Sequence, residues 1–240
     1  MATYVALVNE LLRRLNEVTL DTGGDNFDSV RNVQALAKDA VNSSVRLIIQ
    51  NAQEWPFLKT TYTQTLTAGT RQYSFPSDYS SADWDTFYLK KLSSKDNAPM
   101  RLNPISYDDY IQNRRASDDT GDLINGDGAP SIVYQTLEEK FGVTPVPNAA
   151  YEVEYIYWSF PADLSAYNDV CVIPDRFKHV IVDGAMMFMM RFRSNEQSAA
   201  IHQNNFEDGI KSMRRVLIDD PLVVRSTYIN RAGNKAFSGV

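Results

Sequence analysis

Cysteine, histidine and long hydrophobic runs are all scarce in this sequence. Its 240 residues include one cysteine, Cys171, and two histidines, His179 and His202. So few ligands exclude a disulfide framework and a zinc cluster of Cys and His residues. No apolar run approaches the roughly 20 residues that cross a bilayer, and the opening residues MATYVALVNELLRRLNEV lack the basic-then-apolar order of a secretory signal. We therefore expect no membrane anchor and a location in the cytosol of the cell that makes the protein.

Positive charge is scarce as well. The chain has 24 Lys and Arg against 30 Asp and Glu, a formal net charge of −6. This balance argues against a protein that holds nucleic acid on a dominant basic face. The hydrophobic content of 43% and the charged content of 22% are those of a globular protein and exclude wholesale disorder.

Helical periodicity marks the first quarter of the chain. Apolar residues three and four apart between residues 7 and 18 predict a helix with Thr3 as its N-cap. A second, much longer helix is predicted from a cap at Asp28 or Ser29 up to Pro56, which cannot continue it. Such a helix would be about 40 Å long, enough to form the spine of a bundle.

The last third of the chain is helical again. The pattern predicts one helix from about residue 174 to 194, with Pro174 in its first turn, and another from about residue 196 to 217. Two helices at each end of the chain favour an antiparallel bundle made from residues 1–58 and 166–220.

Between these ends, from about Lys59, the apolar period changes to alternation. TTYTQTLT and QYSF, separated by the turn AGTR, predict a β-hairpin. Further strands are predicted at DTFYLKKL, SIVYQTL, EKFGVTPV and YEVEYIYW, and SDDTGDLINGDGAP is expected to be a long acidic loop. The sequence thus predicts an α+β protein whose helical bundle carries an inserted β-rich domain, residues 59–165, and an extended C-terminal arm, residues 221–240.

The charge distribution follows the same division. Residues 1–58 carry −2, residues 59–165 carry −6, residues 166–220 carry −1 and residues 221–240 carry +3. The acidity therefore lies in the β-rich insertion, and the only basic segment is the arm.

One predicted helix contains VDGAMMFMMRF, an unusual amount of soft apolar surface. At 100° per residue, Val182, Met186 and Met189 lie opposite the apolar face that would anchor the helix in its bundle. Charged residues flank this second patch. Either a third helix of the bundle or a second subunit covers it, since water rarely does, and we take the three residues as a candidate subunit interface. A copper site is disfavoured because Met186 and Met187 diverge by about 100°.

No motif for catalysis, metal binding or cofactor binding stands out. In an EF-hand beginning at Asp118, Leu123 would occupy the glycine position and Ala129 the glutamate position. Cys171 has apolar neighbours, and no histidine near it suggests a nucleophile pair. Asp175, His179 and Asp183 are spaced four apart, which surface pairing along a helix explains as well as catalysis does. We expect no enzymatic activity, no cofactor and no metal.

The final twenty residues have no acid and little periodicity. Such a segment buries too little surface to order by itself, so we expect it to become an extended arm on a partner protein or on a neighbouring subunit. The residues expected to dock it are Leu222, Val223, Arg225, Tyr228, Arg231, Lys235 and Phe237.

The order of several local signatures resembles one protein family. The signatures, in chain order, are NAQEWPFL running into TTYTQTL, then QYSFPSDY, GDGAPSIVYQ, VTPVPNAAYEVEYIYWSFPADLS and VIPDRFKHVIVDGAMMFMMRF. Together they resemble the head-to-tail adaptor of short-tailed bacteriophages, the family often called tail tubular protein A or gatekeeper. The resemblance covers roughly residues 4 to 220. The basic arm and the extended acidic loop depart from it.

The resemblance implies a structural virion protein. It would form a ring of about twelve subunits beneath the portal, join it to the tail nozzle and continue the DNA channel. The implied partners are the portal protein, the nozzle protein, tail fibres and further copies of the chain, with double-stranded DNA passing through without sequence-specific binding. The implied location is the neck of the virion, and the host cytoplasm during assembly. The alternative is a tail-associated enzyme or glycan-binding module that uses the aromatic-rich β domain.

Overall fold

The structure, a computed structural model, describes residues 1–20, 27, 30–51, 54–91, 99–120 and 128–218. The chain divides into two compact units. A helical unit comprises Met1–Phe57 and Asp163–Val240, and a β unit comprises Leu58–Ala162. The predicted α+β class is confirmed, whereas the predicted arm, residues 221–240, lies outside the described residues.

The regular elements have the following bounds. The helices are α1 (Tyr4–Arg14), α2 (Val33–Asn51), α3 (Tyr107–Asn113), α4 (Arg115–Thr120), α5 (Lys178–Phe192) and α6 (Glu196–Leu217). The strands are β1 (Lys59–Leu66), β2 (Gln72–Ser74), β3 (Tyr79–Ala82), β4 (Tyr88–Lys91), β5 (Met100–Arg101), β6 (Asn103–Ile105), β7 (Ile132–Gln135), β8 (Lys140–Thr144) and β9 (Tyr151–Ser159).

Helix α5 is the centre of the helical unit, because α1, α2 and α6 all pack against it. Its close contacts occur at Gly184, where a side chain would meet the Ser44 hydroxyl of α2 and the Phe206 ring of α6. Ser44 Oγ also donates a hydrogen bond to the Ile181 carbonyl, 2.8 Å away. A helix with neighbours on several sides needs apolar residues on several faces, which accounts for its methionines, whereas Asp183 lies in a partly exposed ion pair.

Three ion pairs align α1 with α5. Their nitrogen–oxygen distances are 3.7 Å for Lys178 and Glu10, 3.2 Å for Arg14 and Asp183, and 2.5 Å for Arg193 and Glu17. Because the partners advance together along the chain, α1 and α5 run in the same direction. Partly exposed pairs such as these contribute little to stability, and their effect is to fix the register of the two helices.

Helix α2 is shorter than the sequence predicts. It has 19 residues, roughly 28 Å at 1.5 Å per residue. It ends at Asn51, and the predicted caps Asp28 and Ser29 lie outside the described residues. Trp55 lies beyond the helix and is fully buried, and its indole Nε1 donates to the Ile48 carbonyl at 2.8 Å. The apolar period of the sequence extends past α2 because Trp55 falls at the spacing expected for one more helical turn, although it is not part of the helix.

The two helices at the C-terminal end lie close to their predicted positions. The segment expected to start near Pro174 opens with a 3-10 turn, Asp175–Phe177, before α5. Helix α6 has the bounds that the pattern predicts, and the Asn195 side chain caps it by accepting a hydrogen bond from the Ser198 amide at 3.1 Å. In contrast, the Thr3 side chain makes no capping hydrogen bond to α1.

The β unit contains two sheets. In the first the strand order is β1-β9-β4-β5, and β3 also pairs with β9, beyond the end of β4. In the second the order is β2-β8-β7-β6, with only β6 and β7 parallel. All remaining pairs are antiparallel.

The hairpin that the sequence predicts from β1 and β2 is wrong. β1 pairs with β9 over eight residues, and β2 pairs with β8 in the other sheet. At the end of β1, the Tyr73 hydroxyl accepts from the Thr67 amide and donates to the Thr70 carbonyl, at 3.1 and 2.7 Å. Leu66 and Tyr73 both enter the core between the sheets. Apolar residues therefore alternate along β1 and β2 because the two strands lie in facing sheets, and not because they pair with each other in a hairpin.

An aromatic core fills the space between the two sheets. Phe141 of β8 has its ring centroid 5.5 Å from that of Tyr155 in β9 and 5.6 Å from that of Phe87. Phe87 and Tyr155 stack at 4.6 Å. All three residues are fully buried. The tyrosine and phenylalanine content of the insertion thus serves its core.

The outer side of the second sheet is covered by α3 and α4. The Tyr134 ring lies over Gly142 of the adjacent strand, and Tyr110 of α3 stacks on it with centroids 3.8 Å apart. Thr144 Oγ1 donates to Asp118 Oδ1 of α4 at 2.9 Å. The stretch predicted to be a long acidic loop therefore begins as helix, and residues 121–127 lie outside the described part.

Two neighbouring carboxylates of α4 have opposite electrostatic environments. Burial raises the pKa of Asp118 above its ordinary value, against the lowering effect of the Thr144 hydrogen bond. A hydrogen bond from Arg71 at 2.5 Å lowers the pKa of Asp119. The ionised form is therefore disfavoured in the fold at Asp118 and favoured at Asp119.

We expect Gly184→Ala to lower the free energy of unfolding. Replacing a helical glycine by alanine normally stabilises a helix by about 1 kcal/mol, but here the new methyl group would lie 2.2 Å from Ser44 Oγ and 2.7 Å from the Phe206 ring. Overpacking of this kind typically costs about 1–3 kcal/mol. Urea unfolding followed by helical circular dichroism measures the change. The double variant with Ser44→Ala should recover part of the loss, and an additive or stabilising result would contradict the close packing.

Removing either carboxylate of α4 should change the stability of the fold at neutral pH, and the two changes should have opposite signs. Asp118→Asn should raise stability at neutral pH, because it removes an ionised group that the fold disfavours. This advantage should fade as the pH falls through the raised pKa. Asp119→Asn should lower stability at neutral pH, since a group of lowered pKa contributes stability above its unfolded pKa, and that loss should vanish in acid. Thermal unfolding of both variants between pH 7 and pH 3 tests this pair, and effects of the same sign would refute it.

Candidate interaction surfaces

The apolar patch predicted on α5 is not open on the subunit. Val182, Met186 and Met189 have exposed fractions of 0, 3 and 1%. Neighbouring helices of the same chain pack against α5, as the alternative of a covering helix predicted. The premise of the interface prediction is therefore wrong, because helices of the same chain surround α5 and leave the patch buried.

Other apolar side chains are exposed instead. Phe192 is 62% exposed, because it is the last residue of α5 and the chain turns there toward α6. Leu137 is 86% exposed in the turn between β7 and β8. Sequence periodicity could not identify them, since it does not show where a helix or a strand stops packing. Further exposed apolar residues are Val18, Tyr88, Met100, Ile201 and Val216.

Asp175, His179 and Asp183, which are spaced four apart in the sequence, do not come together as a catalytic group. Asp183 accepts from Arg14 at 3.2 Å and lies 3.3 Å from His202 Nδ1 of α6. His179 is exposed, as is Asp175. These contacts form a partly exposed ion-pair cluster that joins α1, α5 and α6. They do not form a proton-transfer pair directed at a substrate.

Cys171 is a buried structural residue. Its exposed fraction is 1%, and its backbone amide donates to the Ala2 carbonyl at 3.0 Å. Burial raises the pKa of the thiol. The nucleophilic thiolate is therefore disfavoured at neutral pH.

The described residues contain neither a cluster of metal-ligating side chains nor a membrane-spanning helix. Among them, no group of three or more His, Cys, Asp or Glu side chains could hold a metal ion. In that same part of the chain, no helix is both long and apolar enough to span a bilayer.

The β unit has one broad cleft, of about 790 Å³, beside the β7–β8 turn. Trp84, Tyr107 and Leu137 form part of its lining together with Asp109. Asp109 belongs to the N-terminal cap of α3, because its amide donates to Ser106 Oγ and its carboxylate accepts from that hydroxyl, at 3.1 and 2.9 Å. The cleft offers contact surface, and its one lining carboxylate is already engaged in a cap.

The predicted docking residues of the arm cannot be located. Leu222, Val223, Arg225, Tyr228, Arg231, Lys235 and Phe237 all lie outside the described residues. Their role stays a prediction.

Comparison with known proteins assigns these surfaces to a structural family. The model of one protein family, described as SU10 adaptor protein, matches residues 2–225, which include most of both units. Comparison with curated proteins gives no match. The resemblance found in the sequence is confirmed, and the chain belongs to the SU10 adaptor protein family, a head-to-tail adaptor family of short-tailed phages, as a structural component of the virion.

Proposed function

We propose that the protein assembles as a ring, of about twelve subunits, beneath the portal of a short-tailed phage. The ring links the portal to the tail nozzle and forms part of the channel through which DNA leaves the head. The observation that carries this proposal is the match to the adaptor family over residues 2–225, which includes the helical unit and the β unit alike.

The charge of the chain supports a conduit. About twelve subunits at −6 each would carry about −72, and a channel wall of that sign repels the DNA phosphates. Residues 59–165 alone carry −6. DNA can then slide through such a ring without being held by the sequence-independent contacts that a basic surface makes.

The side chains with catalytic potential support a structural role. Cys171 is buried, Asp183 is engaged in ion pairs, and Asp109 caps a helix. The alternative, an enzyme or glycan-binding module, rested on the aromatic content of the insertion. Phe87, Phe141 and many of its tyrosines lie in the core instead, where they are not available to stack on a sugar.

Partners follow from the position in the virion. The portal lies on one side of the ring and the nozzle on the other, with tail fibres as a further partner, and the subunits gather in the host cytoplasm before they join the neck. We further propose that residues 221–240 dock on the portal or on a neighbouring subunit, with Tyr228 and Phe237 as apolar anchors.

Mixing the purified protein with its portal should give a ring. Electron microscopy should show a second ring stacked coaxially on the portal, and native mass spectrometry of the complex should give one fixed number of subunits. A protein that remains monomeric in the presence of the portal, or that cleaves a cell-wall glycan, would contradict the proposal.

Deleting all residues after Pro221 should weaken portal docking in sedimentation while leaving the unfolding transition of the subunit unchanged. The removed segment holds the proposed anchors, and the described helices end before it. Undiminished docking by the truncated chain would refute a role for the arm in portal docking.

A full-length variant with Arg225→Gln, Arg231→Gln and Lys235→Gln is the matched control. It keeps every apolar anchor and removes only the charges of the arm. It should dock almost as well as the parent, with a weaker dependence on salt, because exposed charges steer association more than they hold it. If it docks as poorly as the truncated chain, the anchors are not apolar.

A further inference from the structure

The outer strands of the two sheets differ sharply in length. β5 has two residues, β2 has three, and β6 has three that include Pro104. β1 has eight, Lys59–Leu66, and lies at the end of the first sheet. Its eight consecutive pairs with β9 show no register shift. β1 is therefore the one long and regular outer strand in the described part of the β unit.

The far side of β9 cannot take a further strand. β4 pairs with its residues 151–154 and β3 with residues 157–159. Between them, the Ile156 amide donates to Thr86 Oγ1 and the Ile156 carbonyl accepts from the Asp83 amide, both at 3.0 Å. β9 is thus hydrogen-bonded along both sides. Within the described residues the first sheet can grow at β1, since β3 and β5, which also pair with one strand each, have only four and two residues.

β1 lacks the devices that normally protect an edge. Proteins blunt exposed edges with proline, bulges, shortness or charge. Residues 60–66, TTYTQTL, contain no proline and no charged residue, and Lys59 is the strand's one charge. Thr61, Thr63 and Thr65 are exposed, whereas Leu66 is buried in the core and fixes the strand's register. An open edge of this length is a template for a further strand.

We propose that this edge accepts, as an added strand, residues 222–229 of a neighbouring copy of the chain. The inference rests on the proposed self-assembly, since a second copy supplies the strand. It assigns β1 as the acceptor for the arm and the subunit–subunit contact as the arm's first function, so that any loss of portal docking on truncation follows from a weakened ring.

The composition of residues 222–229, LVVRSTYI, favours this occupant. Five of the eight residues are β-branched or aromatic, and neither glycine nor proline interrupts them. Pro221 stands immediately before the segment, where a strand can tolerate it. The segment has eight residues, as many as β1. It can therefore pair with the whole edge.

Charge also favours this occupant. Residues 221–240 carry +3 and residues 59–165 carry −6. Glu152 and Glu154 of β9 are paired with Thr65 and Thr63 of β1, so both acids lie on the exposed face next to the edge. Glu154 already pairs with Lys90 of β4, so an arginine on the added strand, such as Arg225, would approach Glu152 across β1. A second copy of β1 would bring no positive charge except that of its Lys59.

Hydrogen exchange resolved to single amides tests the proposal on the full-length chain. The variant Val224→Pro with Arg225→Pro disables the arm as a strand, because one of two adjacent amides must face β1. Adding a peptide of residues 221–230 to this variant should slow exchange at every second amide of β1, by roughly tenfold or more. Amides of β2 and β6 should not change. This measurement needs neither portal nor ring, so its failure is distinct from that of the proposed function.

The assembled chain gives the second measurement. β1 of the parent should show the same alternating protection on assembly, the proline variant should lose it, and a control with Ser238→Pro and Gly239→Pro should keep it. A peptide without effect on β1 would overturn the proposal. So would protection that persists in the assembled proline variant, which would assign the edge to a second β1 strand or to another partner.

Discussion

The close approach of helices around Gly184 is the constraint on which the helical unit depends. Without a side chain at this position, α2 and α6 reach the axis of α5, and Ser44 and Phe206 occupy the space. The helix then needs apolar residues on several faces, and flexible methionines fill the irregular gaps that branched residues would leave. The methionine-rich segment is thus the consequence of a tightly packed centre, and the surfaces for partners must lie elsewhere.

The β unit is organised by a different constraint, an aromatic core between two sheets. Tyr155, Phe141 and Phe87 contact one another from different strands, so the sheets remain face to face although one pairs through β9 and the other through β8. β9 is satisfied on both sides, which leaves its neighbour β1 as the boundary of the sheet. The β unit therefore has a closed core between its two sheets and an unpaired edge at β1. This combination suits a protein that must join further chains.

The sequence predicts well those features that depend on local period. α6 begins and ends where its pattern does, because Asn195 caps it and its apolar stripe meets a single neighbour. The sequence predicts poorly those features that depend on contacts between residues far apart in the chain. Trp55 extends the apparent period of α2 although it packs back on Ile48, and β1 and β2 alternate like a hairpin although they belong to different sheets. The burial of the patch at Met186 likewise depends on helices that are distant in the sequence. The family resemblance came from the order of motifs, which survives such errors.

The central claim is that this chain is a structural part of the phage neck, between portal and tail. A reconstruction of the intact virion by electron cryomicroscopy tests it most directly. The account predicts a ring of density beneath the portal into which the helical unit and the β unit both dock, with the channel continuing through its centre. Density for the chain only at the tip of the tail or along the fibres, or its absence from purified virions, would contradict it.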